Sequence, residues 1–365
     1  MSRALRAGVF ALLAPLVAAS PAAPSSADAS FPRPQPITRT FDNGLRVAVF
    51  PVHRLPIVQV QLLVPGGQIS EPPLSAGAAF LTAQLLTRGT SSRDADGFAA
   101  EVARLGGSIS AGASRDYATL TGAFLARDLA AGLELMSDAA LNPVFGDDDV
   151  QAARIEAARS LERMRRDPAS LAEQQLWSAL FGDRPYGRSP VGTDTTLASI
   201  TREQVRVFHR DHYRPDHALL VIAGDVAPDS ALAMAGEWFG RWSGHAVIPA
   251  PSTVSTPQRP RVRVVDVPDA PYSVVRLGLM LPGRRSEDDL PLTLAATEFA
   301  GGTFSRLQRA RHAARRFIGE RHRSDVARRR SLLVRLAGQH RLGGRDGGRA
   351  AGGAARLRAP SADRA

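Results

Sequence analysis

Apolar and polar positions along the chain follow two periods. Residues 45–49 (Leu-Arg-Val-Ala-Val) alternate in twos, and residues 57–64 do the same before Pro65-Gly66-Gly67 interrupts them; a period of two is that of a strand with one buried face. Residues 77–87 and 94–105 fit helices, the second stopped by Gly106-Gly107, which readily adopt a helix C-terminal conformation. Residues 108–123 predict a pair of strands around Gly112. Helices follow over 127–141, 147–166 and 170–180, with Pro143 and Pro168 as breakers between them. Asp147-Asp148-Asp149 suits the positive end of the middle helix, and Thr201 is placed to cap a helix over 202–212 with Glu203 in its first turn. A short apolar strand over 219–223 and a helix over 230–242 complete the unit. This order predicts an α+β fold, a layered antiparallel sheet with helices on one face.

A Pro-rich lead at 31–36 opens this first domain, which spans 31–245. Residues 246–260 read as a linker, rich in Pro, Ser and Thr from 249 onward. Strands over 261–267 and 273–280 and a helix over 291–300 repeat the opening order of the first unit. Residues 261–304 thus read as the start of a sister domain. At the N-terminus, Arg3 and Arg6 precede an apolar run over 7–19 and a small-residue stretch over 20–30. That layout predicts a secretory signal over 1–30 and a periplasmic or secreted protein. The run falls short of the roughly 20 residues that span a bilayer, and no other segment could span one.

Composition changes the picture at one end of the chain. The 365 residues carry a formal net charge of +11. Residues 305–365 hold 17 Arg against 4 acidic residues, whereas residues 1–304 hold 29 Arg against 31. All 46 basic residues are Arg, which together with abundant Ala, Gly and Pro points to a GC-rich gene. The tail is Arg-, Gly- and Ala-rich without a clear apolar face. It reads as a frameshifted translation, the competing reading being a basic arm that binds an anionic polymer by charge. Zero Cys excludes disulfides, thiolate metal sites and a Cys nucleophile.

Six segments in order then resemble one family: Thr40–Val49 (TFDNGLRVAV), Gly66-Gly67, Gly77–Thr90 (GAAFLTAQLLTRGT), Pro185–Thr201, Phe208–Val226 and Gly301–Leu307 (GGTFSRL). Together they resemble the pitrilysin/insulinase (M16) zinc metallopeptidases over roughly residues 38–307. The resemblance implies a helix bearing H-x-x-E-H, two His as zinc ligands on one helical face and a Glu as general base. Aligned on Gly77 and Gly89-Thr90, those positions are Phe80, Ala83 and Gln84. Phe80 has no lone pair, Ala83 no base, and Gln84 is a poor neutral ligand. The family's third ligand, a helical Glu, falls between Ala153 and Leu161, with Glu156 and Glu162 close by.

The resemblance therefore implies a non-catalytic homologue with a truncated second repeat domain and no metal or cofactor of its own. It would pair with an active zinc peptidase and help bind peptide substrate. Two alternatives stand beside it: a zinc endopeptidase using unorthodox ligands, and an exported protein binding anionic polymers through its Arg-rich tail. Nucleic acid is not an expected partner. His209, His212 and His217 have metal-like spacing, but Pro215 turns the chain toward the next strand, and no metal role is expected of them. His53 reads as a surface residue. Ser108–Ser114 and Ser160 lack evident His and Asp neighbours for a serine hydrolase. Gly343–Gly348 lacks the Lys-Ser/Thr of a phosphate loop. Glu156, Glu162, Arg159, Arg163 and Arg166 read as a solvated, ion-paired helix face.

Overall fold

The computed structural model describes residues 35–248, 262–268, 270, 272–281, 289–300, 305, 306, 309, 317–325 and 330–339. The expected signal, residues 249–260 of the expected linker and the tail beyond residue 339 lie outside the described residues, as do most of Gly301–Leu307 and all of Gly343–Gly348. The first unit runs β1 (Ile37–Thr40), β2 (Arg46–Pro51), β3 (Ile57–Val64), α1 (Ala78–Leu85), α2 (Ala95–Arg104), β4 (Ser108–Ala113), β5 (Ala118–Leu125) and α3 (Leu129–Leu141). It continues with α4 (Asp147–Arg166), α5 (Pro168–Phe181), α6 (Asp194–Ser199), α7 (Arg202–His212), β6 (Leu219–Gly224) and α8 (Pro228–Phe239). Then come β7 (Tyr272–Leu281), α9 (Asp289–Ala300), β8 (Phe317–Asp325) and β9 (Arg330–Gln339).

Six strands form one sheet in the order β1-β2-β6-β3-β5-β4. All neighbours run antiparallel except β2 and β6, which are parallel with Val47 opposite Leu220. The layered sheet expected from the sequence is antiparallel at every other neighbouring pair. Parallel neighbours need a long crossover, and everything from β3 to α7 supplies it. Alternation sets the two faces. Val58, Val60, Leu62 and Val64 of β3 are buried, while Gln59 and Gln61 between them are exposed. On β5, Ala118, Leu120 and Phe124 point into the same core, where Leu81 and Leu85 of α1 and Leu133 and Met136 of α3 meet them. The other face of the sheet carries exposed or half-buried, mostly uncharged residues.

Local chemistry places several helix ends. Asp94 accepts the Gly97 N–H at 2.8 Å and starts α2. Thr201 and Gln204 form a reciprocal capping box at the start of α7. Asp147–Asp149 open α4, and Arg163, Arg165 and Arg166 close it, complementing both ends of its dipole. Two elements escape the periodicity, β1 and α6. The latter is a single short stretch opened by a Thr193–Thr196 capping box.

A second sheet runs β7-β9-β8, antiparallel throughout. It abuts the first unit through α5: Gly278 lies against Leu176 and Leu180, and an Arg276 guanidinium N–H donates to the Ala169 carbonyl at 3.1 Å. Two expectations are corrected here. Residues 262–267 form no strand, because no neighbouring strand pairs with them among the described residues, and Val262 and Val264 stand exposed. Conversely, the Arg-rich tail contains β8 and β9. Leu332, Val334 and Leu336 recur at period two within β9, a strand pattern obscured by the surrounding Arg residues.

Candidate functional site

Helix α1 is the element on which the family resemblance places metal chemistry. Its entry is built by Glu71, a buried carboxylate whose Oε1 accepts the N–H groups of Gly77 (3.1 Å) and Ala79 (2.8 Å). Those are among the donors that a helix start leaves without intrahelical partners. Oε2 is buried with no hydrogen-bond partner. Burial outweighs the two N–H donors and nearby Arg188, and pushes the Glu71 carboxyl up to about 8.

Along α1, Phe80 packs against the core, Ala83 is fully buried and Gln84 is exposed. Helix α4 packs against α1 with an apolar stripe of Val150, Ala157 and Leu161, Ala153 at its margin. Glu156 and Glu162 face solvent instead. Glu156 pairs with Arg163 at 2.9 Å and Glu162 with Arg166 at 2.8 Å. The structure therefore brings Phe80, Ala83 and the span Ala153–Leu161 toward one another but supplies hydrocarbon where ligands are needed. Among the described residues no group of three His, Asp or Glu side chains gathers to hold a metal ion. The donor set does not fit zinc, which takes imidazole, thiolate or carboxylate ligands.

The loop leaving α1 is fixed by a buried acid that the sequence reading passed over. Asp138 of α3 accepts from the Thr90 hydroxyl (2.5 Å), Asn142 Nδ2 (3.1 Å) and an Arg93 guanidinium N–H (3.3 Å). Arg93 also pairs with Glu134 at 2.7 Å.

Beside α1 lies β4, the edge of the sheet, paired only with β5 among the described residues. The tip of the β4–β5 hairpin is locked by Arg115. Its guanidinium donates to Gln68 Oε1 (2.8 Å) and the Tyr186 carbonyl (2.9 Å), and sits 4.0 Å from the Trp177 ring centroid. Burial pushes this guanidinium down to about 10 despite Glu173 and Asp116 nearby. The Tyr186 hydroxyl donates to Asp116 on the same tip. Gly67 makes the close approach possible, since a Cβ there would come within 2.4 Å of the Asp116–Tyr117 backbone. Arg115, Trp177 and Tyr186 were missed from sequence. The aromatic spacing of Trp177, Phe181 and Tyr186 was the one available signal.

The remaining candidates are dispersed. His209 Nε2 lies 2.8 Å from the Ala140 carbonyl, its ring stacked on Tyr213 and edge-on to Phe145. Burial pushes it down to about 4, so it stays neutral. His212 Nδ1 lies 3.0 Å from the Val247 carbonyl, and His217 is exposed in a 3-10 turn. His53 is a surface residue paired with Asp225 at 2.7 Å. The Ser114 hydroxyl donates to the Tyr117 carbonyl, and Ser160 lies on α4.

Comparison with known proteins follows the same outline. The profile described as "Insulinase (Peptidase family M16)" matches residues 46–194, and that described as "Peptidase M16 inactive domain" matches residues 199–313. An uncharacterized zinc protease of Mycobacterium bovis is 30% identical over 291 residues, 79% of this chain and 65% of that protein. The mitochondrial-processing peptidase subunit beta of Neurospora crassa is 23% identical over 80% of this chain and 61% of its own. The chain thus spans a little under two thirds of either relative. The crystal structure of a peptidase M16 inactive domain from Pseudomonas fluorescens superposes with a TM-score of 0.76 at 20% identity, covering 84% of this chain and 74% of that one. Two adjoining family profiles, a matching fold and six ordered sequence segments agree: the chain belongs to peptidase family M16, the insulinase family.

Proposed function

We propose that this chain is a non-catalytic M16 subunit that holds an extended peptide along the open edge of β4, beside a separate peptidase that carries the zinc. The observation that carries this reading is the face of α1, where Phe80, Ala83 and Gln84 stand in place of two imidazoles and a general base. Without those groups the chain has neither metal ligands nor a base to activate water there. What it retains is a strand edge, unpaired among the described residues, next to that helix, whose backbone N–H and C=O groups can accept an added peptide strand. A listing of roles by subunit is already present in a relative's name, the mitochondrial-processing peptidase subunit beta, which supports a multi-subunit arrangement.

The N-terminal Arg3/Arg6 and apolar run support export to the periplasm or the medium. No helix among the described residues is long and apolar enough to cross a membrane. The second domain is read as interrupted by a frame slip. That reading is supported by the Arg excess after residue 304 and by the end of the family match at residue 313.

The test is metal content and peptidase activity of the purified chain. The expected result is substoichiometric zinc and no chelator-sensitive cleavage of unstructured peptides. One zinc per chain together with such cleavage overturns the proposal in favour of unorthodox ligands.

A further inference from the structure

Helix α4 buries one side and leaves the other to solvent. Val150, Ala157 and Leu161 are buried on the side that packs against α1, α5 and α6. On the opposite side Gln151, Ala152, Ile155, Ala158, Arg159 and Glu162 recur three and four residues apart, and all are exposed. Ile155 stands at the centre of that face, 45% exposed. A lone exposed aliphatic side chain is ordinary on a protein surface. This one has a groove and a charge pattern around it.

The groove is lined by Ile155, Ala158, Arg159, Glu162 and Arg163. The first four are spaced i, i+3, i+4 and i+7, which is the hole into which a facing helix inserts a side chain. Ala158 keeps the hole open because its side chain is a single methyl. The charged rim is already paired along the helix: Glu156 meets Arg163 at 2.9 Å and Arg159 at 3.9 Å, and Glu162 meets Arg166 at 2.8 Å. An entering aliphatic group therefore strands no lone charge at the rim.

Charge also runs lengthwise. Residues 147–156 hold four acids against Arg154, and residues 157–166 hold four Arg against Glu162. A parallel copy of the helix would set like ends together. An antiparallel copy sets the acidic end on the basic end, with the helix dipoles opposed. Antiparallel pairing centred on residue 157 places Asp148 beside Arg166 of the second copy and Ile155 over its Ala158–Arg159 hole. Two-fold symmetry makes each of these contacts twice.

We infer that the exposed face of α4 is a self-association surface, on which two copies of this chain pair antiparallel with each Ile155 seated in the other's groove over Ala158. A helix of 20 residues is about 30 Å long, so the contact is at the small end of protein interfaces and the dimer is a reversible one.

Sedimentation velocity of the full chain over a wide concentration range tests this. The expected result is a monomer–dimer equilibrium that weakens with added salt. Ile155→Asp is expected to raise the dissociation constant roughly tenfold or more, through loss of a buried aliphatic side chain at two symmetric places. Because Ile155 is exposed within one chain, the melting temperature of the variant in dilute solution should match the parent. Asp148→Arg and Arg166→Asp should each self-associate less than the parent, since each sets like charges together at both ends. Mixing those two variants should restore dimers, which only the antiparallel arrangement predicts. A monomer at every concentration, a dimer indifferent to Ile155→Asp, or a mixture that pairs no better than its components overturns the inference.

Discussion

Single residues on α1 carry different kinds of information. Phe80, Ala83 and Gln84 were legible from their flanking glycines, because a helix keeps its register between fixed ends. Glu71 was not legible, since its chemistry comes from burial and from N–H groups that only the folded turn aims at it. Its consequence is measurable. With the folded carboxyl near 8 and the ordinary value near 4.5, the folded chain keeps a proton that the unfolded chain has released between those pH values. Stability from this group is fully present below pH 4.5 and is lost as pH rises toward 8. Glu71→Gln removes the titration. Urea unfolding at pH 5, 6.5 and 8 is expected to show a declining midpoint for the parent chain and a flatter profile for E71Q. His209, pushed down to about 4 by burial, has the opposite sign and weakens the fold as pH falls below 6.5.

Elements were read best where period and caps agreed. The helices opened by Asp94 and Thr201, and strand β3 with its strict alternation, stand where the pattern put them. Short elements without a full period, β1 and α6, were invisible for lack of enough residues to show one. Alternation also misled. Residues 262–267 look like a strand yet have no partner among the described residues, and a strand is defined by its neighbour. The rigidity of the β4–β5 hairpin is likewise tertiary, because Arg115 reaches Gln68, Tyr186 and Trp177 from distant segments. Arg115→Ala is expected to cost about 1–3 kcal/mol by leaving those buried acceptors without a donor. It should also raise hydrogen exchange at Ser114–Tyr117 and the adjoining end of β4 more than in β3. Uniform exchange across the sheet would show that the tip owes its order to something else.

At the scale of the whole molecule, the two units differ in completeness. The first encloses a continuous core between its sheet and helices. In the second, Val275, Leu277 and Leu279 of β7 and Leu294 and Phe299 of α9 remain exposed, an apolar surface of the kind soluble monomers seldom leave open. β9 pairs with β7, and β8 with β9, yet these residues stay open. The frame slip proposed above would account for both the exposure and the charge jump after residue 304. Sequencing the source DNA across codons 295–315 on both strands is expected to reveal one missing or extra base. An unchanged sequence overturns the slip and leaves the Arg-rich tail as an encoded arm, to be tested by salt-dependent binding to an anionic polymer.

By itself the sequence determined the α+β class, the order of the long elements and the family. Each of these is written in local period, caps or residue identity. Only the tertiary structure decided that β2 lies parallel to β6, that α4 offers hydrocarbon to α1 and that Arg115 locks the hairpin. Those are relations between residues far apart along the chain. Neither period nor composition encodes them, because they exist only once burial has brought the segments together.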